Sequence, residues 1–269
     1  MQIQNNTLYY IYDPMCSWCY AYEKSLAEVQ QQLPALLNFE SILGGLAADT
    51  IEPMPAATQK MVQQAWQQIE STVPHIKFNF DFWSNNTPRR STYPACRALI
   101  AAAQQAPKFV QALRQKIQQA YYQMAQNPSL NTTLITCAEH TDLNIKQFKA
   151  DLNAPNTQRQ LSEHIQFARY LGARSYPSLR LVLDGEIYTI AINYTQSNPT
   201  LTQINTLLEQ HKNRGIESPC IRNCCLNNED ICLGCFRSLN EITGWSQANE
   251  LEKQETLDRA SVRKMTQPV

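Results

Sequence analysis

The N-terminal part of the chain begins with a short apolar run, which is followed by apolar residues at helical spacing. The run TLYYIY, residues 7–12, is rich in β-branched and aromatic side chains and predicts a buried strand, which the following Asp-Pro dipeptide ends. From Cys16 onward, apolar residues recur every three or four positions until Pro34, and this spacing predicts a helix. Residues 36–46 then predict a second strand. The chain is therefore expected to start with a strand–helix–strand unit.

The middle of the chain, from about residue 55 to residue 172, has an almost entirely helical pattern. Its segments are amphipathic and rich in Ala and Gln, which favours helices that bury one face. The predicted helical segments are 56–71, 94–105, 107–126, 132–140, 144–152 and 157–171. A block of this kind between strands indicates a helical insertion.

After residue 172 the pattern changes from helical spacing to alternation. Residues 178–183 and 186–191 predict two strands, and the Asp-Gly dipeptide between them is a strong signal for a two-residue hairpin turn. Residues 199–211 predict a closing helix. This order of elements predicts an α/β fold of the thioredoxin type that is interrupted by a helical subdomain.

A domain boundary is expected near residue 214. The segment HKNRGIESP, residues 211–219, is polar and rich in residues that break regular structure. We therefore predict a first domain at 1–213, with its helical insertion at about 55–172, and a second, cysteine-rich module at 214–269.

Charge and hydropathy narrow the classes of partner. Lys plus Arg and Asp plus Glu each total 23, so the formal net charge is zero, and charged residues make up only 17% of the chain. This balance does not indicate a nucleic-acid or anionic-membrane partner. No segment approaches the ~20 uninterrupted apolar residues of a membrane span, and the N-terminus lacks the pattern of a secretion signal. We expect a cytoplasmic protein.

The nine cysteines are distributed unevenly. In the cytoplasm, paired cysteines are more often catalytic or metal-binding than structural. Two stand at positions 16 and 19, and five lie between 220 and 235. The remaining two, Cys96 and Cys137, fall on apolar helical faces and are interpreted as small core residues.

Cys16 and Cys19 form a CxxC motif at the first turn of the predicted helix, directly after a strand. The uncompensated N–H groups and the positive end of the helix dipole stabilise a thiolate at Cys16 and lower its pKa. Cys19, one turn further on the same face, is within reach for a disulfide. The motif therefore predicts that Cys16 attacks a disulfide and that Cys19 resolves it. The alternatives are half of a zinc site or two unconnected cysteines in an apolar helix.

Three further residues are expected to lie at the substrate. Tyr176 and Pro177 immediately precede the first hairpin strand. A cis bond between them would place the backbone beside the dithiol and leave an edge to pair with substrate, whereas an ordinary trans proline would merely open a strand. Trp18 is predicted to be a partly exposed apolar contact for an unfolded client, with packing at the helix end as the alternative.

The C-terminal cysteines predict a metal site. Cys220, Cys224, Cys232 and Cys235 form two closely spaced pairs, and the adjacent Cys225 cannot easily face the same ion. Because so short a segment has little apolar core, a tetrahedral zinc ion with four cysteine ligands would supply folding energy directly. Such thiolates also suit an iron–sulfur cluster. A disulfide-bonded tail is the third possibility.

Several motifs of the first domain resemble those of cytoplasmic DsbA-family dithiol oxidoreductases related to FrnE. They are the Gly-Gly pair after the second predicted strand and the sequences YIYDPMCSWCYAY, FWSNNTPRRSTYPACRA and GARSYPSL. The resemblance covers about residues 7–210 and implies a thioredoxin fold with an inserted helical domain. It also implies a nucleophilic Cys16, a resolving Cys19 and a cis Pro177.

The dipeptide between the two cysteines departs from the periplasmic DsbA pattern. Those proteins carry Pro-His, in which the histidine stabilises the thiolate, whereas this chain has Ser17 and Trp18. Without that cation we expect a less oxidising disulfide. Reductase or isomerase activity is therefore at least as plausible as oxidase activity.

The C-terminal segment, at about residues 217–263, resembles a small bacterial four-cysteine domain that has no known activity. The resemblance rests on the cysteine framework, on Arg237, and on the Glu-Ile-x-x-Trp sequence at 241–245. It implies a common fold and no function.

Together these patterns predict a thiol-disulfide oxidoreductase that acts on protein or peptide clients and needs no organic cofactor for the thiol step. Kappa-type glutathione transferases and 2-hydroxychromene-2-carboxylate isomerases share the fold and the helical insertion. They usually carry a lone serine where Cys16 stands, so the intact CSWC sequence argues against them. A non-catalytic adaptor with a metal-binding module is the remaining alternative.

Overall fold

The computed structural model describes residues 1–213, 216–222 and 225–266. The chain divides into two compact units, Met1–Asn205 and Thr206–Val269. The predicted boundary near residue 214 lies outside the described residues.

The first unit contains a four-stranded sheet with the order β2-β1-β3-β4. Its strands are β1 (Thr7–Tyr12), β2 (Asn38–Leu43), β3 (Ser178–Leu183) and β4 (Glu186–Ile190). β1 pairs with β2 in parallel and with β3 in antiparallel orientation, and β3 continues into β4 as a hairpin. Asp184 and Gly185 have φ values of 47° and 80°, the left-handed conformation that this two-residue turn requires.

Helices complete the first unit and confirm the predicted insertion. α1 (Ser17–Gln31) follows β1, and α9 (Asn198–Asn213), of which the part up to Asn205 belongs to this unit, follows β4. Seven helices lie between β2 and β3: α2 (Ala56–Thr72), α3 (Phe82–Asn85), α4 (Tyr93–Gln105), α5 (Lys108–Tyr122), α6 (Asn131–Glu139), α7 (Ile145–Asp151) and α8 (Pro155–Tyr170). Within the described ranges, no helix has both the length and the apolar character needed to cross a bilayer.

Aromatic packing joins the insertion to the sheet and to α1. Phe167 of α8 meets Tyr9 of β1 edge-on, with ring centroids 5.4 Å apart. On α1, the ring of Tyr20 stacks on Tyr122 at 4.6 Å. Tyr122 in turn packs against the buried ring of Trp66. Because buried aromatic pairs contribute both apolar area and preferred geometry, these contacts hold the insertion against the helix that carries the CxxC motif.

The second unit is small and depends on polar contacts. α10 (Leu239–Thr243) starts with a capping box between Ser238 and Glu241. α11 (Glu250–Thr266) supplies Arg259 and Arg263, whose guanidinium groups lie 2.8 and 2.6 Å from the Glu241 carboxylate. Partial burial acts to raise the pKa of Glu241, but hydrogen bonds from both arginines lower it to about 2. The carboxylate is therefore ionised at neutral pH and clamps α11 to α10.

Candidate dithiol site

Cys16 is the N-cap residue of α1. Its backbone is extended, with φ −80° and ψ 115°, and its sulfur accepts a hydrogen bond of 3.4 Å from the backbone N–H of Cys19. The sulfur thus takes the position of a capping oxygen, where helix N–H groups stabilise negative charge. With 7% of its surface exposed, the side chain lies at the edge of the core. This geometry favours a reactive thiolate at Cys16.

Cys19 lies deeper, with 1% of its surface exposed. Burial raises the pKa of the Cys19 thiol well above its usual value, and the hydrogen bond and negative charge of Cys16 raise it further. The Cys19 thiol is therefore protonated at neutral pH. An outer sulfur at a helix N-terminus and an inner sulfur that stays protonated suit an attacking and a resolving cysteine. The two roles stay predictions.

The segment before β3 lies against Cys16. The Tyr176–Pro177 peptide bond is cis, as the sequence predicted. The Cys16 thiol donates a hydrogen bond of 3.4 Å to the carbonyl oxygen of Tyr176. The Tyr176 hydroxyl donates to the carbonyl of Gly44 at 2.7 Å, and its ring lies so close that a Cβ at position 44 would overlap it. Gly44 is therefore needed where this tyrosine crosses the end of β2.

An aromatic pair stands beside the two sulfurs. Trp18 is half-buried, and its ring lies 4.8 Å from that of Tyr194, in the segment after β4. Tyr194 also contacts Tyr22 of α1 edge-on. Burial raises the pKa of Tyr194, and the nearby sulfurs of Cys19 and Cys16 raise it further. Sequence analysis missed Tyr194 because the polar segment after β4 carries neither a periodic pattern nor a motif.

A buried carboxylate lies under the site. Asp13 is fully buried, and one of its oxygens accepts the N–H of Met15 at 2.8 Å. The other oxygen accepts the N–H of Leu46, the hydroxyl of Thr92 and the thiol of Cys96, at 2.7, 2.6 and 3.5 Å. Burial raises the pKa of Asp13, although these hydrogen bonds act to lower it. The sequence identified Asp13 only as part of the dipeptide that ends a strand.

The two isolated cysteines are buried, which confirms their interpretation as core residues. Cys96 lies on α4 and Cys137 on α6. Burial raises the pKa of both thiols, that of Cys137 to about 11. Both thiols are therefore protonated at neutral pH.

The C-terminal cysteines include one well-formed turn. Backbone N–H groups of Cys235, Gly234 and Cys225 donate to the sulfur of Cys232 and lower its pKa. Cys232 and Cys235 are buried, whereas Cys220 and Cys225 are exposed. Among the described residues, no three Cys, His, Asp or Glu side chains gather into a group that could hold a metal. The predicted ligand Cys224 lies outside the described residues.

A buried arginine accompanies this turn. The guanidinium of Arg237, in a residue only 1% exposed, lies over the ring of Trp245 at 4.6 Å. Its Nε donates to the sulfur of Cys235 at 3.4 Å, and one Nη donates to the Ser218 hydroxyl at 2.9 Å. The other Nη is buried and has no hydrogen-bond partner among the residues that the structure describes. In the described part of the chain no carboxylate pairs with Arg237, so the adjacent sulfur is the group able to carry its counter-charge.

Comparisons with known proteins agree with this architecture. Residues 9–200 match a thioredoxin family. The chain belongs to the thioredoxin family. Residues 218–264 match a second family, described as a protein of unknown function, DUF1289. The two matches correspond to the predicted thioredoxin-type domain and to the uncharacterised four-cysteine module.

Solved structures of similar fold cover about three quarters of this thioredoxin-family chain. A candidate protein disulfide isomerase from Nitrosomonas europaea is 23% identical, with a TM-score of 0.67, and the match covers 77% of this chain and all of that one. The cytosolic disulfide reductase DsbM from Pseudomonas aeruginosa is 20% identical, with a TM-score of 0.60 and coverage of 76% and 99%. DsbA from the same organism is 12% identical, with a TM-score of 0.51 and coverage of 79% and 87%. At these identities the likeness establishes the fold, which confirms the predicted thioredoxin-like architecture.

Two curated relatives bear a different kind of name. The ClpXP adapter protein SpxH of Halalkalibacterium halodurans is 25% identical over 175 residues, which are 64% of this chain and 56% of the relative. SpxH of Bacillus subtilis is 22% identical over 213 residues, which are 79% and 62% of the two chains. The chain therefore spans less than two thirds of the length of either relative.

Proposed function

We propose that this thioredoxin-family chain is a thiol-disulfide oxidoreductase that exchanges disulfides with protein or peptide clients through Cys16 and Cys19. The observation that carries the proposal is the position of the Cys16 sulfur. It caps α1, 3.4 Å from the N–H of Cys19, and also lies 3.4 Å from the carbonyl of Tyr176. A thiolate-stabilising helix end, a second sulfur and a neighbouring backbone edge are the parts that disulfide exchange requires.

The difference between the two thiols sets the order of steps. In the reductive direction the Cys16 thiolate attacks one sulfur of a client disulfide, and the other client sulfur leaves as a thiolate. Cys19 then attacks the sulfur of Cys16, and the proton that it loses passes to the departing second client thiolate. The products are a reduced client and a disulfide between Cys16 and Cys19. An external thiol must reduce that disulfide again, and the reverse sequence oxidises a client.

Client binding is assigned to the surface around Cys16. We expect a client segment to pass along Tyr176 and Pro177, where it can pair with backbone. Trp18 and Tyr194 lie beside the sulfurs and offer apolar contact to an unfolded segment. No organic cofactor is required, since the two sulfurs carry both electrons.

The direction of exchange is proposed to be reductive or isomerising, and the location cytoplasmic. The residues between the two cysteines, Ser17 and Trp18, supply no cation to stabilise the thiolate, which disfavours a strongly oxidising disulfide. The fold is similar to that of DsbM, a cytosolic disulfide reductase.

Reduction of insulin by dithiothreitol tests the activity. We expect the protein to accelerate precipitation of the insulin B chain, and Cys16→Ser to abolish the acceleration. A wild-type protein with no effect on precipitation would contradict the proposal.

An adaptor function is the second candidate, because the two curated relatives are named ClpXP adapter proteins. In that case the thioredoxin-type unit would serve as a scaffold, and its thiols would not be needed. The Cys16→Ser/Cys19→Ser double variant separates the two functions. If the protein is an adaptor, the double variant still delivers its partner to the protease. If it is an oxidoreductase, the double variant loses its disulfide-exchange activity.

We propose further that the C-terminal module binds one zinc ion through Cys220, Cys224, Cys232 and Cys235. The turn around Cys232 supports this, because its backbone N–H groups point at the sulfur as they do in metal knuckles. The buried Arg237 supports it as well, since a guanidinium beside sulfur offsets the negative charge of several thiolates. When bound, the metal would supply folding energy to a unit that has few apolar contacts of its own.

A further inference from the structure

A cavity of about 440 Å³ lies next to the dithiol site, on the side of the Tyr176 ring. Its lining residues are Gly45, Leu46, Arg169, Ala173, Arg174 and Tyr176. Tyr176 belongs to both the cavity and the dithiol site, because its carbonyl oxygen lies 3.4 Å from the sulfur of Cys16. The cavity and the dithiol site therefore share Tyr176.

Both charged residues in the cavity lining are arginines. Arg169 is in the last turn of α8, and Arg174 is in the loop that leads to β3. Burial raises the pKa of Tyr176, the negative charge of the buried Asp13 raises it further, and the positive charge of Arg169 acts to lower it. Within residues 1–213, 216–222 and 225–266, no acidic side chain lines the cavity.

The two guanidinium groups differ from three arginines of the first unit that form ion pairs. Arg97 pairs with Asp49, Arg114 with Glu23, and Arg159 with Glu163, at 2.7, 3.2 and 3.8 Å. Across the described ranges, neither of the cavity arginines pairs with a carboxylate. Both have donors available for a ligand, and a guanidinium fits a carboxylate with two parallel hydrogen bonds.

We propose that this cavity binds a carboxylate that lies close to the reacting cysteine of the substrate. The inference rests on the proposed exchange at Cys16 and names the substrates that react fastest there. They are acidic segments of protein clients, with Asp or Glu beside the cysteine, or small anionic thiols such as glutathione. Because the whole chain has no net charge, the attraction comes from this local pair and acts on the group next to the disulfide.

The test compares matched disulfides. Two peptide disulfides that differ only by Glu or Gln beside the cysteine react with the reduced protein, and the ratio of their second-order rate constants is measured. Glutathione disulfide and its neutral ethyl ester provide the same comparison for a small thiol. We expect the acidic member to react faster, and Arg169→Gln and Arg174→Gln each to lower the ratio by about two- to five-fold, the range of a solvated ion pair.

Arg159→Gln is the matched control, since Arg159 lies on the same helix but is paired with Glu163. It should leave the ratio unchanged, and 0.5 M salt should lower the ratio of the wild-type protein. If the Arg169 and Arg174 variants lower the ratio only for the peptides, the cavity binds protein clients. If they lower it only for glutathione, the cavity binds small thiols. Equal rates for acidic and neutral substrates, or a ratio that neither variant changes, would overturn the inference. Failure of the proposed function gives a different result, namely no exchange with any of the four disulfides.

Discussion

The hydroxyl of Thr92 donates a hydrogen bond of 2.6 Å to the carboxylate of Asp13, across 79 residues of sequence. The same carboxylate accepts the N–H groups of Met15, just before Cys16, and of Leu46, just after β2. One buried group thus joins the dithiol loop, the end of a strand and the start of α4. The position of Cys16 relative to the insertion depends on it.

Asp13→Asn is predicted to destabilise the first unit. In this variant an amide NH₂ group replaces one carboxylate oxygen and faces the N–H or O–H donors whose hydrogen bonds that oxygen now accepts. Each buried donor left unpaired costs about 1–3 kcal/mol. Urea unfolding at pH 7 measures the change. Asp142→Asn, at an exposed position, is the control and should leave the free energy of unfolding within about 0.5 kcal/mol of wild type.

The pH dependence of the free energy of unfolding, compared between wild type and Asp13→Asn, tests the same group. Because the pKa of Asp13 is raised in the folded state, the native protein binds this proton more tightly than the unfolded chain does. The stabilisation from this group is fully present below the unfolded pKa of about 3.9 and is lost as pH rises through the folded pKa. The stability advantage of wild type over Asp13→Asn should therefore shrink as pH rises above about 4. An advantage that grows over this range would contradict the burial argument.

The two cysteines should respond differently to substitution. Cys16→Ser is predicted to abolish exchange, whereas Cys19→Ser should accumulate mixed disulfides with clients, because no second thiol resolves them. In the wild-type protein at neutral pH, Cys16 should alkylate before Cys19, whose pKa is raised by burial. Mass spectrometry of trapped complexes and of alkylated peptides measures both. Faster alkylation of Cys19 would reverse the two roles.

The aromatic pair is predicted to act on clients rather than on sulfur chemistry. Trp18→Ala or Tyr194→Ala should slow exchange with unfolded, disulfide-bonded protein substrates by roughly 5- to 30-fold, the effect of losing about 1–2 kcal/mol of contact. A small aromatic disulfide should be affected much less. Met61→Ala, an exposed apolar position on α2, is the control. Equal losses for protein and small disulfides would contradict a client-binding role.

The regular elements were predictable because their patterns are local. The apolar run at 7–12 became β1 with the same bounds, and the Asp-Gly turn between β3 and β4 was visible from two residues. The second strand ends before the predicted residue 46, because Gly44, which lies against Tyr176, and Gly45, which lies against Ile165 and Tyr93, already belong to the following loop. The four-residue helix α3 is too short to show a period.

The dithiol motif was visible in the sequence, but its surroundings were not. Cys16 and Cys19 are three positions apart and form a recognisable CxxC motif, whereas the hydrogen-bond partners of Asp13 lie up to 83 residues away in the sequence. Tyr194 reaches Trp18 only because the hairpin returns the chain to the start of α1. Contacts of this kind depend on the folded topology and leave no local pattern.

The C-terminal module is predicted to contain one equivalent of zinc. Elemental analysis and an absorption spectrum of protein purified without oxygen measure this. Colourless protein that contains zinc supports the proposed site. A brown chromophore together with iron and sulfide would show that the cysteines hold an iron–sulfur cluster instead of zinc. Fresh protein with neither metal would contradict a metal site. Cys225→Ser should retain the metal, whereas Cys235→Ser should lose it.

Arg237 provides an independent test of the thiolate charge. Arg237→Met removes the guanidinium beside Cys235 and should weaken zinc binding by about 10- to 100-fold, as loss of other groups that contact metal ligands does. Competition with a chromophoric chelator measures the affinity. Lys264→Gln, at an exposed position of α11, is the control. An unchanged affinity in Arg237→Met would show that the guanidinium does not neutralise the cysteines.

The reduction potential of the pair Cys16 and Cys19 is the most direct measure of the proposed function. Protein equilibrated in glutathione or dithiothreitol redox buffers is alkylated, and its disulfides are mapped by mass spectrometry. We predict one two-electron transition confined to these two cysteines. Its midpoint should lie closer to the approximately −270 mV of thioredoxin than to the approximately −120 mV of DsbA, because Ser17 and Trp18 provide no cation. The absence of a disulfide between Cys16 and Cys19 at every potential in this range would contradict the proposal.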